Sequence, residues 1–181
     1  MTGESGRLFA AAPFDQTIGP RQETDLAVLT LEDFAAALPE TGSLLGLDPG
    51  KKRIGVAVSD PARVVSAPLD TVARGKLAAD AEALFALYDS RACVGLVIGL
   101  PLNMDGRDGP SAQAARAFAR NLNGVRETPI LLWDERLSTA AVSRALIEAD
   151  ASRARRAALV DKAAAAYLLQ GALERLAIIP R

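Results

Sequence analysis

Three places in the chain set a carboxylate where an apolar strand ends or a helix begins: Asp48, the pair Asp134-Glu135, and Asp161. Asp48 closes the apolar run Leu44-Leu45-Gly46-Leu47 and is followed at once by Pro49-Gly50. Proline supplies no ladder donor and glycine accepts turn angles, so the strand stops there. A carboxylate at such an end must be solvated, paired or bound to a metal, because burying it alone is costly. Taken singly, each acid also reads as a turn or cap residue. Taken together they are hard oxygen donors, which suit Mg²⁺ or Mn²⁺ better than zinc. Such carboxylates can hold two ions about 4 Å apart, which activate a water and stabilise the leaving oxygen of a phosphodiester. Spacing alone leaves the metal reading and the cap reading both open.

Composition narrows the chemistry further. The 181 residues contain no histidine. Ser-His-Asp and Cys-His nucleophiles, zincin motifs and imidazole acid–base catalysis are therefore excluded together. The single cysteine, Cys93, lies in the apolar run to Ile98 and reads as a buried strand thiol, with no disulfide possible within the chain. A formal charge of −1 gives no overall field for nucleic acid or membrane, so a nucleic-acid partner must be held by local patches. Met1 to Gly6 is polar, without the basic start and apolar run of a signal peptide. No stretch reaches the roughly eighteen apolar residues of a membrane helix. A cytoplasmic protein with no membrane partner is the expectation.

The local patches are few. Lys51, Lys52 and Arg53 flank Asp48 and read as a phosphate-contacting cluster, against the plainer reading of a solvated turn. Asn103 and Asp105 sit in the loop Gly99 to Gly106, as substrate contacts or as turn formers. Arg136 can pair with a phosphate or with a neighbouring acid, and the sequence does not choose. Arg153, Arg155 and Arg156 read as a solvated helix start, with a nucleic-acid track as the alternative. Trp133 and Tyr167 are assigned to the core rather than to base stacking.

The elements that must position these residues follow from periodicity. Residues 1 to about 22 lack periodicity and read as a loose leader. Thr30 can cap a short helix to Leu38, with Asp33 placed to reach back to the cap. Two strands flank Pro49-Gly50. Ala62 to Leu69 is predicted as a third, edge strand, because Pro68 argues against a central place. A helix over Lys76–Arg91, a strand over Val94–Leu100, a helix from Pro110 and a strand over Ile130–Trp133 follow. A helix capped by Ser138 or Thr139 and a last helix, with Val160, Ala164, Tyr167, Leu168 and Gly171 on one face, complete the chain. This order predicts an α/β fold with a mixed sheet, an antiparallel meander followed by crossover units, and helices on both faces. The expected division is a leader with one short helix over 1–42 and a single domain over 43–181. Adjacent residues alternate across a strand, so Asp134 and Glu135 are expected to point to opposite sides.

Four motifs stand in one order: Leu47 to Asp60; Gly99-Leu100-Pro101-Leu102-Asn103-Met104-Asp105-Gly106; Asp134-Glu135-Arg136-Leu137-Ser138-Thr139; and Val160-Asp161-Lys162-Ala163-Ala164-Ala165. Together they resemble the YqgF family, also called RuvX-like, described as Holliday-junction resolvases and as pre-16S rRNA nucleases. The likeness spans roughly Leu44 to Leu176, and leaves the leader outside. It implies a five-stranded ribonuclease-H-like fold and a metal-dependent nuclease acting near the 5′ end of precursor 16S rRNA during ribosome biogenesis. It also implies that Asp48, Glu135 and Asp161 are the catalytic, metal-holding acids, with Mg²⁺ or Mn²⁺ bound. Pro49 departs from the bulkier residue usual between the Asp and the Gly. Lys51, Lys52, Arg53, Asn103 and Arg136 are the candidate substrate contacts. Nucleic acid, precursor rRNA first, and ribosomal particles are the implied partners of a monomer or weak homodimer. The alternatives are a DNA nuclease of the Holliday-junction type and a non-catalytic nucleic-acid-binding module. A third is a phosphotransferase of the actin-like ATPase class, whose phosphate loop Asp48-Pro49-Gly50-Lys51 resembles.

Overall fold

Period-two alternation in the apolar runs assigns each strand residue to one of two faces, and each face takes its own helices. The computed structural model describes residues 28–134, 136 and 153–180. Strands β1 (Ser43–Pro49), β2 (Arg53–Ser59) and β3 (Ser66–Ala73) form an antiparallel meander. Strands β4 (Cys93–Leu100) and β5 (Ile130–Asp134) add to β1 in parallel, giving the order β3-β2-β1-β4-β5. This is the mixed sheet that the element order predicts.

One face packs Leu45, Leu47, Ile54, Val56, Leu96 and Ile98 against helices α2 (Leu77–Ser90) and α3 (Pro110–Val125). The other packs Leu44, Ala57, Val97, Leu131 and Trp133 against the long helix α4 (Arg153–Leu176). On that second face β1 and β2 carry the small residues Gly46, Gly55 and Ala57, so helix and sheet approach closely there. A Cβ added to Gly46 would lie 2.8 Å from Leu169 Cβ. One added to Gly55 would fall on the main-chain carbonyl of Asp161. Only glycine permits these contacts.

The short helix α1 (Leu31–Ala37) is capped as its sequence predicts, with the Asp33 N–H donating to Thr30 Oγ1 at 3.1 Å. Phe34 is fully buried within the α4-side core, and Leu29 forms a parallel bridge to Leu131. The third strand, expected over Ala62–Leu69, instead begins at Ser66. The cause is Asp60, whose carboxylate accepts the N–H groups of Ala62, Val64 and Val65 at 3.1, 2.7 and 2.8 Å. These bonds wind residues 60–65 into a turn that no strand ladder can match locally. They also hold the Asp60 carboxyl below its usual range, the Val65 N–H contributing most. Within the turn Arg63 takes a positive φ of 59° and buries its guanidinium against the carbonyls of Gly42 and Pro39. β3 is an edge strand, as Pro68 requires. The helix expected from Ser138 or Thr139 lies outside the described residues. Among those described, no helix is long and apolar enough to cross a membrane.

Candidate active site

The C-terminal ends of β1, β4 and β5 open at one edge of the sheet, where parallel strands leave a mouth for ligands. In β1, Leu44 and Gly46 face α4 while Leu45 and Leu47 face α2 and α3. Alternation therefore sends Asp48 to the α4 face. The antiparallel register sets Asp48 directly opposite Gly55. Gly55 is the residue on which the Asp161 main chain rests. Asp48 and Asp161, far apart in sequence, are thus gathered at one corner of one face.

Arg53 belongs to the same corner. Its Nε–H donates to Asp161 Oδ2 at 2.7 Å, with both side chains about one-third exposed. The sequence reading gives Arg53 to substrate phosphate; in the structure it is held by the acid of the final helix. Lys51 and Lys52 remain exposed at the tip of the β1–β2 turn. Gly50 makes that turn possible, since a Cβ there would come within 2.7 Å of the Arg53 carbonyl oxygen.

Asp134 goes elsewhere. Leu131 and Trp133 face α4, so Asp134, at the end of β5, points to the opposite side. It receives the Arg136 backbone N–H at 3.0 Å and the guanidinium through Nε at 3.0 Å and Nη2 at 2.8 Å. The Arg136 side-chain hydrogen bond is the main reason its carboxyl sits below the ordinary carboxylate range. The same bond raises the affinity of Arg136 for its proton. Arg136 Nη1 also donates to the carbonyls of Asn103 and Met104 at 3.3 and 3.4 Å. The choice that the sequence leaves open for Arg136 falls on the neighbouring acid, and through it the 103–106 loop is tied to β5.

Asn103 is a turn former here. Its N–H donates to the Arg107 carbonyl at 3.1 Å and its own carbonyl accepts from Gly106 N–H at 2.8 Å. Asp105 accepts the Arg107 N–H at 3.0 Å. Glu135, and the side chains of Arg153, Arg155 and Arg156, lie outside the described residues. Among the described residues no three acids, cysteines or histidines gather as a metal cluster.

Two assignments to the core have different outcomes. Trp133 is buried, at 5% exposure, whereas Tyr167 is 45% exposed. The α4 side chains packed on the sheet are Ala165, Leu168, Leu169, Ala172 and Leu173. Tyr167 falls outside that stripe, beside Ser66, Pro68 and Gln170. Cys93 is the inert strand thiol expected, its pKa pushed up to about 11, chiefly by burial. The sequence reading passes over Arg74, which the structure brings to the mouth beside Asp48. One basic residue at the end of an edge strand gives no signal of that placement.

An antiparallel meander extended by two parallel strands, in the order β3-β2-β1-β4-β5 with helices on both faces, is the ribonuclease-H-like fold that the motifs imply. The RuvX family, described as Holliday junction resolvase, matches residues 42–175, and the chain belongs to it. A protein of Paracoccus denitrificans (strain Pd 1222) named "Putative pre-16S rRNA nuclease" is 58% identical over 151 residues, covering 83% of this chain and 96% of that protein. A namesake from Rhodospirillum rubrum is 57% identical over 152 residues, covering 83% and 94%. Among solved structures, T. thermophilus RuvC in complex with Holliday junction substrate is similar at a TM-score of 0.48 and 12% identity, covering 76% of this chain and 97% of that one.

Proposed function

We propose that this protein is a metal-dependent nuclease that hydrolyses a phosphodiester of precursor 16S rRNA near its 5′ end, in the cytoplasm. The observation that supports the reading is that Asp48 stands opposite Gly55 across the β1–β2 ladder while the Asp161 main chain packs on that same glycine. Both are carboxylates, the donor type that hard divalent ions take. Asp48, Asp161 and Glu135 would hold Mg²⁺ or Mn²⁺. Glu135 is chosen over Asp134 from the motif, and because Asp134 is committed to Arg136 on the other side of the sheet. When bound, the ions supply a water of lowered pKa and charge stabilisation at the leaving oxygen. No histidine is present to act as a base in their place.

The protein's own part is orientation. Asp48 is fixed by the β1–β2 ladder, and Asp161 by main-chain packing and the Arg53 guanidinium. Arg53 offsets the repulsion between neighbouring carboxylates, which otherwise raises the cost of gathering them. Lys51 and Lys52 project where a phosphate backbone would pass. Arg136 and Asn103 shape the loop on the far side of the mouth. The protein would act as a monomer or weak homodimer on rRNA within ribosomal particles.

The test is incubation of purified protein with labelled precursor 16S rRNA, single-stranded RNA and a four-way DNA junction, each with Mn²⁺ and with excess chelator. Cleavage of the precursor near its 5′ end, abolished by chelator, is expected. Full activity in chelator would overturn the metal mechanism. Cleavage of the junction alone would favour the resolvase activity for which the family is described.

A further inference from the structure

The β1–β2 turn has a second side, facing α3, and a cavity of about 270 Å³ opens there. Asp48, Gly50, Lys51 and Arg74 border it, with Pro110 and Ser111 of α3 on the far wall. Asp48 is among its lining residues, although alternation along β1 directs its carboxylate toward the α4 face. The other charged residues of the lining, Lys51 and Arg74, are cationic.

Arg74 is held in place. Its backbone N–H donates to the Lys52 carbonyl at 3.0 Å, and its Nη1 donates to the Gly50 carbonyl at 2.9 Å. Its guanidinium carbon lies 5.3 Å from the centre of the buried Phe118 ring. A cation over an aromatic face at this range is attracted to it, and the stacking fixes the plane of the fork. Among the described residues no carboxylate pairs with Arg74. Arg53, Arg107, Arg116, Arg126 and Arg136 each pair with an aspartate. A guanidinium that is positioned in advance and keeps donors for an outside acceptor is suited to phosphate, which it can grip through two parallel N–H bonds.

We infer that Arg74, with Lys51, forms a seat for a backbone phosphate of the substrate strand, on the opposite side of the β1–β2 turn from the acids. The inference rests on the nuclease reading and adds a positioning site to it. The seat holds a phosphate next along the strand from the one hydrolysed, and so fixes the register in which the strand crosses Asp48. It recognises phosphodiester and not base, so its contribution is independent of sequence. A cation held by the Gly50 carbonyl and the Phe118 ring requires less reordering when the strand arrives, which is why Arg74 contributes more than Lys51, although both are exposed.

The experiment measures binding of a labelled single-stranded RNA in Mg²⁺ across a salt series. The protein carries Asp48→Asn, so the RNA survives. Into this background go Arg74→Met, which keeps a stem against Phe118, Arg74→Lys, and Lys51→Ala, which sits on an exposed turn and does not threaten the fold. Arg74→Met is expected to weaken binding roughly tenfold and to flatten the plot of log affinity against log salt by about 0.7, one phosphate contact of a single strand. Arg74→Lys should restore the slope and part of the affinity. Lys51→Ala should give a smaller loss of the same kind. A purely structural Arg74 would lower the melting temperature and leave the slope alone. Unchanged affinity and slope in Arg74→Met, with RNA still bound, would overturn the seat and leave the nuclease reading standing. Absence of RNA binding in all four proteins would overturn both.

Discussion

The two faces of the sheet are built to opposite rules. Under α2 and α3 the strands present Leu45, Leu47, Ile54, Val56, Leu96 and Ile98, and stability comes from interlocked large side chains. Under α4 the strands β1 and β2 present Gly46, Gly55 and Ala57 beside Leu44, and there the helix backbone itself comes down onto the strands. The first face buries apolar area, whereas the second gives up some of it for proximity. Proximity is what two carboxylates on separate elements need if they are to share an ion. The face proposed to carry the chemistry is therefore the one on which, at β1 and β2, the least side chain lies between helix and strands.

The contrast is broken most severely by adding atoms to the close face. Gly55→Val is expected to cost more than about 4 kcal/mol, because the new side chain meets the Asp161 carbonyl and the whole helix must move. Removing atoms from the packed face comes next. Leu47→Ala should cost about 3 kcal/mol, the transfer and cavity loss of a fully buried leucine. Denaturant melts of both variants check the order. A Gly55→Val protein as stable as wild type would mean that the close approach is not needed for folding.

Changes to the acids separate stability from function. Asp48→Asn should abolish Mn²⁺-supported cleavage and leave the chelated protein as stable as wild type or slightly more so, since one of the gathered carboxylates loses its charge. A large fall in melting temperature would instead make Asp48 a structural turn residue. The smallest effects on stability belong to the adjacent acids Asp134 and Glu135. Glu135→Gln should lose cleavage with little change in stability, whereas Asp134→Asn should keep a substantial fraction of activity. Its cost in stability should be about 1 kcal/mol or less, because the Asp134–Arg136 pair is partly solvated.

The pH dependence of that pair has a definite sign. Arg136 holds the folded Asp134 carboxyl below its ordinary value near 3.8. The pair therefore stabilises the fold above that value and loses its contribution as the pH falls through the lower, folded one. Acid melts of wild type should show this loss and Asp134→Asn should not. A protein in which Asp134→Asn is inactive and stable while Glu135→Gln still cleaves would reverse the assignment of the two acids.

What the sequence by itself determined was local. Apolar periodicity, Pro49-Gly50, Pro68, Pro110 and the Thr30–Asp33 cap mark elements through interactions a few residues long, and the absence of histidine excludes whole mechanisms without any coordinates. The four ordered motifs carried the family. Tertiary structure decided how the elements' charges were spent. Arg53 reads as a phosphate contact until α4 brings Asp161 to it, and Arg136 has no preferred partner until the end of β5 and the 103–106 loop are placed around it. Tyr167 reads as core because helical spacing gives a face but not its width, and the glycine-lined sheet admits a stripe too narrow to include it. The shift of β3 hangs on Asp60 collecting three N–H groups, a competition between turn and ladder that pattern alone does not resolve. Arg74 shows the limit most clearly. Its phosphate-binding character depends on Phe118 and the Gly50 carbonyl, which reach it only after the sheet, the turn and α3 have come together.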